Sequence, residues 1–153
     1  MTFKGIDRKP LTTIPPNCFF KVGDFESDWD FSKPFDFIHA RALSGSVRDF
    51  PGLFQRIMNN LKPGGWVEVV DFPMRFFSDD GVLQDAPNLV EWARLHVQAI
   101  AMFRRDMDVA HNHKQWLIDA GFKNVKEEIY KVYIHPSKLF IHEPRQLIRL
   151  SGI

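Results

Sequence analysis

At 153 residues the chain has the size of one average domain, long enough to bury a core without disulfides or metals as staples. Apolar residues make up 44% of it and Phe alone occurs 15 times, which suits a packed interior and excludes intrinsic disorder. Lysine and arginine number 20 against 19 acids, a net charge of +1, so the broad electrostatic footprint of a nucleic-acid or anionic-membrane binder is missing.

In chain order, Phe3 to Asp7 reads as the tail of a buried strand that ends on an acid. Met1 to Asp7 holds one lysine and no apolar run, so no signal peptide is expected. Pro10, Pro15 and Pro16 forbid a long helix in the connection that follows. Cys18 to Asp24 is a second strand, and its cysteine, with no second one to pair with, reads as a buried structural thiol of an intracellular protein, cytoplasmic or nuclear. Phe35 to Arg41 is a third strand. Asp49 is placed as an N-cap, Pro51 sits in a first turn, and Leu53, Phe54, Ile57, Met58 and Leu61 recur at helical spacing, which predicts a helix over Phe50 to Leu61.

Pro63-Gly64-Gly65 stops that helix, and Trp66 to Phe72 has the β-branched and aromatic content of a buried strand. Two strands joined by one helix imply a right-handed parallel crossover. A longer helix is expected over Pro87 to Phe103 and another over Asn112 to Ala120, closed by Gly121. In the longer one Leu89, Trp92, Ala93, Val97, Ile100 and Phe103 take the core side. Phe122 to Ile134 alternates loosely, as one or two late strands would. From His135 the pattern fades, and the residues from Pro144 read as a short helix or a frayed end. No apolar stretch of about 18 residues crosses a membrane, and nothing divides residues 1–153 into two domains.

In doubly wound α/β sheets ligands bind beyond the carboxyl ends of the strands, so the informative residues are Asp7, Asp24, His39, Arg41 and Asp71. A carboxylate there can accept two hydrogen bonds from a ribose diol, worth roughly 1.5–3 kcal/mol each when charge-assisted, and Asp7 is placed for that. An acid after the next strand can take the exocyclic amine of adenine while a neighbouring backbone N–H meets a ring nitrogen, a role that suits Asp24 and Phe25. The plain alternative is that both aspartates only form turns.

The runs Phe35-Asp36-Phe37-Ile38-His39-Ala40-Arg41, Asp49-Phe50-Pro51 and Leu61-Lys62-Pro63-Gly64-Gly65-Trp66-Val67-Glu68 resemble the core of the fungal LaeA-like class I methyltransferases. Gly5-Ile6-Asp7, Pro15-Pro16-Asn17, Gly23-Asp24 with Asp28-Trp29, and Ala120-Gly121-Phe122 with Val125 agree in order and spacing, so the similarity spans about Gly5 to Tyr133. The Leu-Lys-Pro-Gly-Gly run is common to class I methyltransferases, whereas His39-Ala40-Arg41 is specific to this group.

The resemblance implies a Rossmann-like sheet that binds S-adenosylmethionine, with Asp7 on the ribose and Asp24 with Phe25 at the adenine. It places the family's first strand and glycine-rich loop before Met1, so the expected architecture is a single partial methyltransferase domain, with 135–153 a divergent tail. Since the first strand would lie between the second and the fourth, Phe3 to Asp7 and Cys18 to Asp24 are expected to pair with Phe35 to Arg41 or to sit loosely. S-adenosylmethionine is then expected to bind weakly, through its adenosine half. The acceptor, a small molecule or a protein, stays open, and the family suggests regulatory protein partners in secondary metabolism.

Other residues carry plainer readings beside these. His39 and Arg41 either touch substrate or, for Arg41, pair with Asp36 or Asp71 as scaffold. Glu68 alternates with buried neighbours, where an unpaired carboxylate is costly, so it needs a partner or a pocket. His111-x-His113 has no third ligand for a metal and reads as a solvated helix entry. Trp92, Phe103 and Trp116 read as core. Methyl transfer depends mostly on positioning, so no catalytic base is assigned. The rivals are a non-catalytic methyltransferase-like protein acting through partners, and a nicotinamide-dependent Rossmann enzyme, whose ribose an acid at a strand end would also suit.

Overall fold

The computed structural model describes residues 3–7, 16–78, 81–130 and 146–151. Among them strands run Phe3–Asp7 (β1), Cys18–Val22 (β2), Phe35–Arg41 (β3), Leu61–Asp71 (β4), Glu128–Ile129 (β5) and Gln146–Ser151 (β6). Helices run Phe50–Asn59 (α1), Pro87–Ala101 (α2) and His113–Asp119 (α3). The prolines of the β1 to β2 connection before Pro16, and the end of the late-strand region at 131–134, lie outside the described residues.

The strands form two sheets. β1 and β2 pair in parallel, from Phe3 against Cys18 to Asp7 against Val22. The other sheet has the order β3-β4-β6-β5, parallel between β3 and β4 and antiparallel beyond. Among the described residues no strand joins the two, and the break falls where the resemblance puts the family's first strand. β1 and β2 therefore do not pair with β3, as one expectation had it; each meets the backbone hydrogen-bonding needs of one edge of the other. β6 corrects the reading of a helix or frayed end after Pro144. That segment lacks a sequence period of its own and is specified by its ladder on β4, Trp66 against Ser151 through Asp71 against Gln146.

The helix over β3 and β4 starts as its sequence dictates. Asp49 Oδ1 accepts from the Gly52 N–H at 3.0 Å, and Pro51 occupies the first turn, where no N–H is missed. Leu53, Phe54 and Ile57 on its inner face pack in one cluster with Leu61, Val67, Val69, Leu117 and Phe122. α3 closes in a Schellman turn: Gly121 adopts φ 102°, its N–H donates to the Ile118 carbonyl, and the Phe122 N–H donates to the Leu117 carbonyl.

The Pro-Gly-Gly run does more than stop α1. Phe35 pairs with Leu61 but Phe37 with Trp66, so Lys62 to Gly65 bulge out of the ladder inside β4, which begins earlier than predicted. Gly64 sits at φ 76°, and a Cβ on Gly65 would stand 2.8 Å from the Lys62 carbonyl oxygen, closer than real contacts allow. The bulge uses both glycines.

The sheet is covered on one face. Val67 and Val69 of β4 are buried and Ile38 and Ala40 of β3 half-buried, whereas Phe37, His39, Arg41 and Trp66 on the opposite face are exposed. Two further expectations change. Cys18 is half-buried, not buried. In α2 only Ala93 is buried, while Trp92 and Phe103 are largely exposed, because α2 has few neighbours and its apolar residues outnumber the one side that packs. Trp116 does pack against the core cluster, as expected.

Candidate functional site

The parallel register brings the ends of β1 and β2 together. Asp7 lies opposite Val22, and Asp24 follows just beyond, so both acids belong to one end of that sheet. Asp24 is held in an Asx turn, with Oδ1 accepting from the Glu26 N–H at 2.9 Å and its carbonyl from the Ser27 N–H at 3.1 Å. Its side chain is exposed. Phe25 is half-buried against the core, and its carbonyl accepts from the Trp29 indole N–H at 2.9 Å.

The loop after β2 is tied to the helix layer by a residue that the sequence reading passed over. Glu26 Oε1 accepts from the backbone N–H groups of Arg48, at 2.7 Å, and Asp49, at 3.1 Å, and its other oxygen lies 4.0 Å from the Arg105 guanidinium. A carboxylate just ahead of α1 is favoured there by the unpaired N–H groups and the helix dipole. No periodicity could have revealed this, since Glu26 and Asp49 are neighbours only in space.

At the end of the other sheet, His39 and Glu68 face each other across β3 and β4, and His39 Nδ1 is 2.8 Å from Glu68 Oε2. Glu68 thus has the partner that its position demanded. Arg41 ends β3, exposed. Ala42 then turns at φ 52°, a left-handed conformation costing alanine roughly 1 kcal/mol, and its N–H donates to the Val70 carbonyl. Of the suggested scaffold acids, Asp36 takes the Lys62 ammonium at 2.7 Å, and Asp71 accepts from the backbone N–H groups of Ser44 and Phe72 at 2.9 and 3.0 Å.

Asp71 is 1% exposed, and this burial holds its carboxyl above the usual pKa, with the hydrogen bonds from Ser44 and Phe72 pulling it back only in part. Its work is to fix the chain beyond β3 against the end of β4. Past β4, Pro73, Arg75, Phe77, Asp108 and His111 line a shallow cleft of about 210 Å³. That is below the roughly 300–1,000 Å³ of small-molecule pockets.

His113 is not solvated, as its motif suggested, but fully buried between Phe50, Phe54 and Trp116. Among the described residues no three of His, Cys, Asp or Glu gather as a metal site, and no helix is long and apolar enough to cross a membrane.

Parallel pairing of β1 with β2 and of β3 with β4, with an antiparallel strand added late beside β4, belongs to the Rossmann-like class I methyltransferase fold. The profile of the methyltransferase-domain family matches residues 4–127, and the chain belongs to that family. Among curated proteins it is 32% identical over 130 residues to the methyltransferase pytC of Aspergillus terreus, covering 84% of this chain and 40% of that one. It is 33% identical over 148 residues to the secondary metabolism regulator laeA of Aspergillus fumigatus, covering 92% and 39%. The chain therefore spans about two fifths of the length of these relatives. The N-methyltransferase NodS of Bradyrhizobium japonicum, solved with S-adenosyl-L-homocysteine, has the same fold at a TM-score of 0.58 and 12% identity, over 99% of this chain and 66% of that one. Membership of this family displaces the nicotinamide-enzyme alternative.

Proposed function

We propose that this chain is the part of an S-adenosylmethionine-dependent methyltransferase that receives the adenosine half of the cofactor. The observation that carries this reading is the parallel β1/β2 register, which gathers Asp7 and Asp24 at one sheet end. The chemistry of the donor set fits: two acids and an aromatic residue can take the ribose hydroxyls, the adenine amine and the adenine ring. Asp7 accepts from the ribose diol and Asp24 from the adenine amine beside Phe25. The cofactor supplies an electrophilic methyl group on a sulfonium, and the protein's part is to hold the two reactants in line. Asp71 and Ser44 set the chain beyond β3, and His39 and Arg41 edge the site from β3. The acceptor is a small molecule or a protein side chain. The likeness to pytC and laeA supports a place in fungal secondary metabolism, with regulatory protein partners, in the cytoplasm or the nucleus.

Calorimetric titration with S-adenosylhomocysteine and with adenosine tests the reading. Both should bind, and Asp7→Ala or Asp24→Ala should weaken each by about ten- to a hundredfold, the loss expected from roughly 1.5–3 kcal/mol of charge-assisted hydrogen bonding. Equal affinity in both variants, or no binding by the unsubstituted chain, sinks it.

A further inference from the structure

The outward face of α2 has little cover among the described residues, where only the Phe76 ring, 6.3 Å from that of Trp92, is seen to meet it. Trp92, Leu95 and Met102 are 50%, 49% and 85% exposed, and Phe103, just past the helix, is 71% exposed. Burial follows the other side, where Ala93 is buried and Leu89, Val97 and Ile100 are half-buried. The helix thus carries two apolar stripes, and the fold uses one. The unused stripe, Trp92, Leu95, Ala99 and Met102, advances by three, four and three residues, the spacing of a seam that packs against another helix. Contiguous apolar surface of this kind marks an interaction site more often than a solvent face.

The stripe is complementary to itself. Turned end for end about Val97, it places Trp92 opposite Met102 and Leu95 opposite Ala99. A flexible thioether meets an indole, and a leucine knob meets the small residue that leaves room for it. The charges follow the same rule. Glu91, bound within the helix to Arg94, marks the amino end, and Arg104 lies just beyond the carboxyl end. An antiparallel pair sets Glu91 beside the other copy's Arg104 at both ends and aligns the helix dipoles favourably. A parallel pair would set Glu91 against Glu91.

We infer that α2 is a homodimerisation helix, on which a second copy of this chain packs antiparallel across Trp92, Leu95, Ala99 and Met102. The contact is isologous, so it closes at two chains. From Trp92 to Met102 the seam is about 15 Å long at ~1.5 Å per residue. A contact of that length falls below the roughly 1,200–2,000 Å² of standard stable interfaces, so the dimer is reversible and concentration-dependent.

Sedimentation velocity of the full chain at rising concentration should show a monomer–dimer equilibrium. Leu95→Asp should weaken it at least tenfold, with the circular dichroism spectrum unchanged to show that the fold is kept. Arg104→Glu should also weaken it, and adding Glu91→Arg should restore it. For register, Cys18→Ser removes the only cysteine; Leu95→Cys with Ala99→Cys on that background should oxidise to a covalent dimer, and Ala101→Cys alone should not. A chain monomeric at every concentration overturns the proposal and leaves the stripe to a different partner. So does a dimer that survives Leu95→Asp and fails to cross-link through positions 95 and 99.

Discussion

His113 enters the interior with neither ring nitrogen hydrogen-bonded, packed among Phe50, Phe54 and Trp116. Burial first, and the nearby His111 second, lower its pKa from 6.5 to about 4. The unfolded chain therefore binds a proton that the fold refuses between those two values, so stability is greatest above about pH 6.5 and falls as pH drops toward about 4, by at most roughly 3 kcal/mol. Urea denaturation at a series of pH values should show that slope, and His113→Phe should flatten it, since the phenyl ring keeps the aromatic packing and has nothing to protonate. A slope that persists in the variant would assign the pH dependence to other groups. Asp71 is the opposite case, a buried acid whose two oxygens are used by backbone donors. Asp71→Ala should cost about 1–3 kcal/mol by leaving the Ser44 N–H unpaired, and Asp71→Asn should recover most of it, as read from denaturation midpoints.

At the level of elements, the packing of α1 on β3 and β4 supplies most of the buried core. Ile57 is 1% exposed and packs in the cluster that holds Phe54, Val67 and Val69. Ile57→Ala should cost about 2–5 kcal/mol, and an unchanged midpoint would mean that this face of α1 is not the core face. The helix was legible because three independent signals agreed: the cap at Asp49, the proline in the first turn, and apolar residues at helical spacing. α2 was half legible. Its period identified a helix, but an apolar residue at helical spacing does not say which of two stripes the fold will bury, and Trp92 and Phe103 fell on the one that it does not.

Over the whole molecule, the division of the strands into two sheets has a consequence for stability. A two-stranded sheet alone is marginal in water, whereas the four-stranded sheet carries α1 and α3 on one face. Hydrogen exchange followed by mass spectrometry should therefore find the amides of β1 and β2 exchanging well before those of β3 and β4, since local opening there disturbs little buried surface. Equal protection in both sheets would show that they unfold as one cooperative unit.

The sequence by itself determined β3, the start of α1, the glycine closure of α3 and the strand-end positions of Asp7 and Asp24. Each of these rests on contacts within a few residues or on a strict local period. It also carried the family, through His39-Ala40-Arg41 and the Leu-Lys-Pro-Gly-Gly run. Only the tertiary structure decided that Gln146–Ser151 is a strand on β4, that Glu26 holds the amino end of α1, that Glu68 meets His39 across the ladder, and that His113 is buried. The physical reason is common to all four: each is a partnership between residues far apart in the chain, and neither partner's own neighbours carry any trace of the other.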